Sequence, residues 1–274
     1  MGNNLTLLKL FAVSEVKENS RVVITGASSG IGKEIALQYA KRKYSLVLAG
    51  RQLDTLQAIQ EQCLKLGSPK VLAKETDVTI ESQCKDLINF SVENLDGIDI
   101  LVLCAGISAY QLFENVSDLS VYEKIMQTNY YGYLYCAFHG LPHLKKSRGQ
   151  ILVISSISGE IGLPFRTAYC ASKFAVTGFF EALRSELNQD ELAITIVCPP
   201  SVRTNLRNNS LVKVDGDKDN ENRISVENCV ANILAAADRR ARKIYFPFKV
   251  YFAAYLRPFL PDFVDKKLKK AARL

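Results

Sequence analysis

Apolar, β-branched-rich runs of strand length alternate along this chain with longer amphipathic segments. The runs are 21–26 (RVVITG), 45–50 (SLVLAG), 70–73 (KVLA), 99–106 (DILVLCAG), 149–156 (GQILVISS), 193–198 (AITIVC) and 243–247 (KIYFP). Between them, segments near 31–43, 52–66, 79–95, 119–145, 167–189 and 225–238 have the length and periodicity of helices. Near-continuous Val/Ile/Leu strands separated by helices fit a parallel sheet covered on both faces, where each strand is buried from two sides. The pattern predicts one doubly wound α/β domain of about seven strands over 20–247. An extension, 1–19, precedes it and a helical tail, 248–274, follows. The polar stretch 205–224 reads as a surface loop. No internal repeat or interdomain linker interrupts the pattern.

The first strand runs into Thr25-Gly26-Ala27-Ser28-Ser29-Gly30-Ile31-Gly32 and then a helix. Glycines at 26, 30 and 32 depart from G-x-G-x-x-G spacing, but the physical requirement is the same. A tight strand-to-helix turn needs residues without Cβ where backbone meets backbone or ligand. The helix N-terminus then offers free N–H groups and a partial positive charge to a pyrophosphate. After strand one of a doubly wound sheet this turn sits beside the topological switch point, so the expected fold is Rossmann-type with a dinucleotide site. Strand two ends at Ala49-Gly50-Arg51 with no acid at 49–52 to bond a ribose hydroxyl. Arg51 suits a 2′-phosphate instead, which points to NADP(H) over NAD(H).

Tyr169-x-x-x-Lys173 opens the segment 167–189, and i,i+4 spacing sets both side chains on one helical face. Such a pair is ordinarily a surface feature. Its order after the glycine turn and after Ser156, at the end of a strand, changes that reading. An ammonium beside a phenol favours the phenolate and makes a proton donor and acceptor. A serine hydroxyl at the carboxyl edge of the sheet can polarise a carbonyl.

Composition narrows the classes further. The 274 residues are 48% hydrophobic and 23% charged, which is ordinary for a globular chain. The net charge of +7 is concentrated: from Asp238 to Leu274 there are 11 Lys/Arg against 3 Asp/Glu, and the remainder carries 24 against 25. The seven cysteines form no C-x-x-C pair and several lie in apolar runs, as buried thiols of a reducing compartment do. With only His139 and His143 present, both read as structural or solvated, no metal site is expected. No signal peptide and no run of 18 apolar residues is seen.

Taken together these motifs resemble the short-chain dehydrogenase/reductase family across about 20–247. They are TGASSGIG at 25–32, Asp77-Val78, Ala105-Gly106, Asn129 in TNYYG, Ser156, Tyr169, Lys173 and the segment Pro199-Pro200-Ser201-Val202-Arg203-Thr204. The stretch ISSISGEIGLPFRTAYCASK most resembles the branch of the 11-beta-hydroxysteroid dehydrogenases and dehydrogenase/reductase member 7-like proteins. The resemblance implies that Tyr169 is the general acid, Lys173 lowers its pKa and bonds the nicotinamide ribose, Ser156 holds the carbonyl oxygen, and Asn129 anchors a relay water. It assigns the cofactor to Gly26, Ser28, Ser29, Gly30, Ile31, Gly32, Arg51, Asp77, Val78, Ala105, Gly106, Tyr169, Lys173, Val202 and Thr204. Asp77 would bond the adenine and Thr204 the carboxamide. The chain departs from the family pattern at Leu103-Cys104, where two asparagines are usual, and at Pro200, where glycine is usual.

The expected activity is NADP(H)-dependent interconversion of a carbonyl and a secondary alcohol on a lipophilic small molecule of steroid, retinoid or acyl type. Loops 107–118, 157–166 and 205–224 would shape specificity. The rival is a nucleotide-sensing or scaffold protein on the same fold, argued from Leu103-Cys104 and Pro200. Aromatics on 119–145 (Tyr130, Tyr131, Tyr133, Tyr135) and 167–189 (Phe174, Phe179, Phe180) are candidates for a homodimer interface or for packing on the sheet. The aromatic, basic tail 248–274 fits a peripheral membrane contact, a pocket cap or a dimer arm; no nucleic-acid partner is expected. The chain is read as intracellular, cytoplasmic or peripheral on an ER-like membrane. Met1-Gly2-Asn3-Asn4-Leu5-Thr6 fits a myristoylation template and Ala272-Arg273-Leu274 a variant peroxisomal address, of which at most one would operate.

Overall fold

The computed structural model describes residues 19–188, 190–207, 209–212, 223–247 and 255–272, and seven strands in it form one parallel sheet. They are β1 (Arg21–Thr25), β2 (Ser45–Gly50), β3 (Val71–Glu75), β4 (Ile100–Leu103), β5 (Gln150–Ile154), β6 (Ala193–Cys198) and β7 (Lys243–Tyr245), in spatial order 3-2-1-4-5-6-7. The helices are α1 (Gly30–Lys41), α2 (Leu53–Lys65), α3 (Glu81–Leu95), α4 (Ser120–Met126), α5 (Gly132–Ser147), α6 (Thr167–Glu186), α7 (Val226–Asp238) and α8 (Pro261–Ala272). This is the doubly wound, Rossmann-type architecture that the alternation of runs predicts.

Strand geometry explains why the runs are apolar throughout. Successive side chains point to opposite faces. Val22, Ile24, Leu46, Leu48 and Val102 join α1, α2 and α7 in one core layer. Val23, Val47, Ala49, Leu101 and Leu103 join α3, α5 and α6 in the other. Each fully buried aliphatic side chain contributes roughly 1.5–3 kcal/mol, so both layers are needed to hold the sheet. Strand order reverses between β1 and β4, which pair from Val22↔Ile100 to Ile24↔Val102. A crevice therefore opens beyond their carboxyl ends.

Three boundaries differ from expectation, each for a physical reason. The run 99–106 leaves the sheet after Leu103, because the Cys104 N–H donates to Thr25 Oγ1 at 3.0 Å instead of extending the ladder. The segment 119–145 is two helices, α4 and α5, joined by a π-helical turn at Gln127–Tyr131. The widened turn carries Asn129 inward to the loop after β4, where its amide is fully engaged. The run 149–156 yields a strand only to Ile154, and Ser156 begins a 3-10 turn, Ile157–Gly159.

All seven cysteines are unpaired. Among the described residues no group of His, Cys, Asp and Glu could hold a metal, and no helix is long and apolar enough to cross a membrane. Of the tail, α8 and its approach are described, with Phe259, Leu260 and Phe263 exposed. The myristoylation template, residues 213–222, Phe248, Val250, Tyr251, Phe252 and the Arg273-Leu274 end lie outside the described residues.

Candidate active site

The glycine turn is built by steric necessity. Gly26 and Gly30 are left-handed, at φ 67° and 53°. A Cβ at Gly26 would lie 2.8 Å from the Ala105 backbone, and one at Gly32 would lie 2.3 Å from the Gly26 carbonyl oxygen. The turn is thus packed onto the residues that follow β4. Thr25 fastens the two together, donating to the Val102 carbonyl at 3.2 Å while accepting from Cys104. Ser29 is the N-cap of α1 and makes no capping hydrogen bond with its side chain. That leaves the first turn of α1 without a side-chain cap, a helix end suited to an anion, with the Gly32 N–H directed at the Cys104 thiol. Ser28 borders the end of β2, 3.7 Å from where a Gly50 Cβ would be, and Arg51 follows on the exposed rim. The cradle, the open helix end and the adjacent cation fit a dinucleotide phosphate.

The other expected cofactor residues line the same edge. Asp77 follows β3, and its Oδ1 accepts from the Thr79 N–H at 2.9 Å and the Thr79 hydroxyl at 2.8 Å. Val78 packs on Gly132, where a Cβ would come within 2.8 Å of it. Gly106 lies over the Asn129 amide, 3.4 Å from its Oδ1 to an added Cβ. Thr204 reaches the glycine turn, its methyl 3.2 Å from a Cβ built on Gly30, and its N–H donates to the Val202 carbonyl at 2.9 Å.

Ser156, Tyr169, Lys173 and Asn129 converge beyond the ends of β4 and β5, and all four are buried. Ser156 caps the 3-10 turn, its Oγ accepting from the Ser158 N–H at 3.1 Å. Tyr169 and Lys173 share the inner face of α6, with the Lys173 Nζ 5.8 Å from the Tyr169 ring centre. Burial pushes the Tyr169 phenol up to about 12, opposed chiefly by the Arg166 guanidinium, while Tyr110 adds to the rise and the Ser156 hydroxyl pulls down. Burial also pushes the Lys173 ammonium down, to about 8. Its Nζ donates to the Ile154 carbonyl at 2.9 Å and approaches the Tyr133 hydroxyl at 3.5 Å. Asn129 works as a clamp: its Nδ2 donates to the Ile107 carbonyl and to Ser172 Oγ, each at 3.0 Å, and its Oδ1 accepts from the Ile107 N–H at 2.8 Å.

Comparison with known proteins matches the short chain dehydrogenase family model over residues 20–214. The chain belongs to the short-chain dehydrogenase family. An 11-beta-hydroxysteroid dehydrogenase of Pinus massoniana is 35% identical over 264 residues, 92% of this chain and 73% of the relative. A dehydrogenase/reductase SDR family protein 7-like of Dictyostelium discoideum is 33% identical over 256 residues, 90% of this chain and 80% of the relative. Both are of the branch that the stretch around Tyr169 resembles. A solved short chain dehydrogenase/reductase from Burkholderia phymatum, in complex with NAD, shares the fold with a TM-score of 0.80 at 20% identity, over 90% of this chain and 96% of that one.

In this short-chain dehydrogenase one departure from the family pattern, Leu103, has a local explanation, and nothing in the structure explains Pro200. Leu103 faces the α5–α6 layer and is fully buried there. Cys104 sits beside Lys173, its thiol pushed up to about 12 by burial. Pro200 follows Pro199, whose carbonyl accepts the Ile157 N–H at 3.0 Å and so ties β6 to the Ser156 turn. Tyr133 and Phe180 belong to the core and not to an outer face, which corrects their candidacy for a dimer surface. Tyr131, Phe138 and Phe174 are the exposed aromatics of that region. Sequence reasoning missed three residues at the site: Tyr133, Tyr110 and Arg166. Arg166 stands three residues before Tyr169, and that spacing was the available signal.

Proposed function

We propose that this chain is an NADP(H)-dependent oxidoreductase that interconverts a carbonyl and a secondary alcohol on a lipophilic small molecule. The observation that carries the reading is the convergence of Ser156, Tyr169 and Lys173 beside a glycine turn and a helix N-terminus at the switch point of the sheet. When bound, the nicotinamide cofactor supplies or accepts the hydride. The protein groups do the rest. The phenol, raised above its ordinary value, is protonated at neutral pH, so Tyr169 donates to the carbonyl oxygen during reduction. Ser156 supplies a second hydrogen bond to that oxygen. Lys173, held against the Ile154 carbonyl, keeps a cation beneath the phenol and favours the phenolate left behind. Asn129 fixes the loop at Ile107 against α6 and so preserves the geometry on which proximity depends. Arg51 supports the preference for the 2′-phosphate.

Three further expectations belong to the same proposal. A homodimer would cover Tyr131, Phe138 and Phe174. A peripheral contact with an anionic membrane surface would use Phe259, Leu260 and Phe263 with Lys266, Lys267, Lys269 and Lys270 of the tail. Unpaired buried thiols support an intracellular location. The test is NADPH and NADH consumption against a panel of hydrophobic ketones and aldehydes. Tyr169→Phe is expected to lower turnover by about 10²–10⁴-fold. Tight cofactor binding with no turnover across a broad panel favours the sensor reading instead.

A further inference from the structure

The three loops expected to shape specificity meet at one aromatic residue. The Tyr110 N–H donates to the Val212 carbonyl at 3.0 Å, the Leu211 N–H to the Ser108 carbonyl at 2.8 Å, and the Gln111 N–H to the Phe165 carbonyl at 3.0 Å. Tyr110 is buried in this knot. Two guanidinium groups approach its ring: Arg166, with its central carbon 4.4 Å from the ring centre, and Arg207, at 4.8 Å. Arg166 also lies 6.0 Å from the centre of the Tyr169 ring. Nearby lie apolar Ala109, Ile125 and Ala168.

Arg166 is half-buried, and among the described residues its guanidinium has neither an ion pair nor a hydrogen bond; its contacts are aromatic faces. None of its nitrogens is both buried and unpartnered, so its donors reach solvent and are open to an arriving acceptor. The backbone is held to deliver it there. Phe165 adopts φ 62°, a left-handed conformation that is costly for a bulky side chain and that recurs at functional sites. Stacking alone accounts for one arginine on a tyrosine. It does not account for a guanidinium set 6.0 Å from the ring of the reaction's proton donor with its own hydrogen-bond donors open.

We infer that Arg166 recognises an oxyanion on the substrate, so that the compound reduced or oxidised is a lipophilic carbonyl or alcohol bearing a carboxylate or phosphate group a few bonds from the reacting carbon. The inference rests on the oxidoreductase reading for where the reacting carbon lies, and it names the substrate class of that same site. A planar guanidinium accepts either oxyanion in a two-point hydrogen bond, and the aromatic faces of Tyr110 and Tyr169 hold its plane.

The experiment uses the full chain with NADPH and matched compounds: a hydrophobic ketone, its analogue ending in a carboxylate, and its analogue ending in a phosphate. In the wild type kcat/KM for at least one anionic analogue is expected to exceed that of the neutral ketone, and the better of the two identifies the anion. Arg166→Gln lowers turnover of all three, since the cation also acts on Tyr169. The anionic-to-neutral ratio is expected to fall by about 10- to 100-fold in addition, the range of a charge-assisted hydrogen bond. Arg166→Lys is expected to retain part of the ratio. A wild-type ratio at or below one for both anions, or a ratio unmoved in Arg166→Gln, overturns the inference. Calorimetric titration of the same three compounds reads recognition without turnover. Preferential binding of an anion that Arg166→Gln abolishes upholds oxyanion recognition by Arg166 even where no compound is turned over, an outcome that overturns the oxidoreductase reading alone. Equal binding of neutral and anionic compounds overturns it.

Discussion

The two sides of the crevice are made in different ways. On the β1 side the site is backbone: a left-handed Gly26, a Gly32 with no room for a Cβ, and the open end of α1. On the β5 side it is side chains, drawn from the ends of two strands, a π-helical turn, a helix and three loops. The backbone side buries no charged side chain. The side-chain side holds a buried ammonium at 3% exposure, and burial there works against its charge. The turn's geometry is part of the fold, whereas the ammonium of Lys173 is sustained against the fold's preference.

Replacing Lys173 is the sharpest way to break that contrast. Its folded-state pKa is depressed from 10.5 to about 8, so below about 8 the folded chain carries a buried cation it would rather shed. The unfolded chain binds more protons between those values, so stability rises with pH across that window, and the cost is greatest at neutral pH. Lys173→Met is expected to abolish turnover yet raise stability at pH 7 by up to about 3 kcal/mol, and to flatten the rise above pH 8. Denaturant titration at pH 7 and pH 9.5 checks both. A variant less stable than the wild type at pH 7 would show that the ammonium supports the fold.

Gly32→Ala tests the backbone side. Its Cβ has a carbonyl oxygen at 2.3 Å and no flexible neighbour to yield, so the turn must shift. A loss of about 1–3 kcal/mol in stability is expected, the cost of overpacking, with a larger loss of NADPH affinity measured by nicotinamide fluorescence. Unchanged affinity would detach the turn from the cofactor. Arg51→Asp should shift the proposed preference for NADPH towards NADH by about tenfold or more, one charge-assisted contact removed and one repulsion added. The smallest effect is expected at Tyr133. Its hydroxyl donates to the Ile154 carbonyl at 3.1 Å and stands 3.5 Å from the Lys173 Nζ. Tyr133→Phe should cost about 1 kcal/mol of stability and lower kcat a few-fold with KM little changed, which steady-state kinetics resolves.

Much of the backbone side was legible along the chain. Thr25 to Gly32 is one contiguous stretch, and its requirement for residues without Cβ is local. The pair Tyr169 and Lys173 was legible for the same reason, one helix turn apart. Leu103 looked like a defect in the cofactor site because the family carries an amide there. Its apolar side chain is explained once β4 is seen to point it into the α5–α6 layer. Tyr133 was one of four tyrosines in a short stretch, and periodicity alone did not tell which faced inward, because the π-helical turn at Gln127–Tyr131 rotates everything after it. Arg166 and Tyr110 are 56 positions apart, and nothing between them signals that their loops meet.

By itself, then, the sequence determined the layered fold, the strand count, the glycine turn and the spacing of phenol and ammonium. Each follows from interactions among neighbours along the chain: alternation of side chains across a sheet, sterics of a tight turn, and the pitch of a helix. Only the tertiary structure decided where β4 stops, which tyrosine lies under Lys173, and that Arg166 comes within 6.0 Å of the Tyr169 ring. Those depend on contacts between segments distant in sequence, where a single hydroxyl at Thr25, one extra residue in a helical turn and a left-handed Phe165 redirect side chains that no local rule constrains.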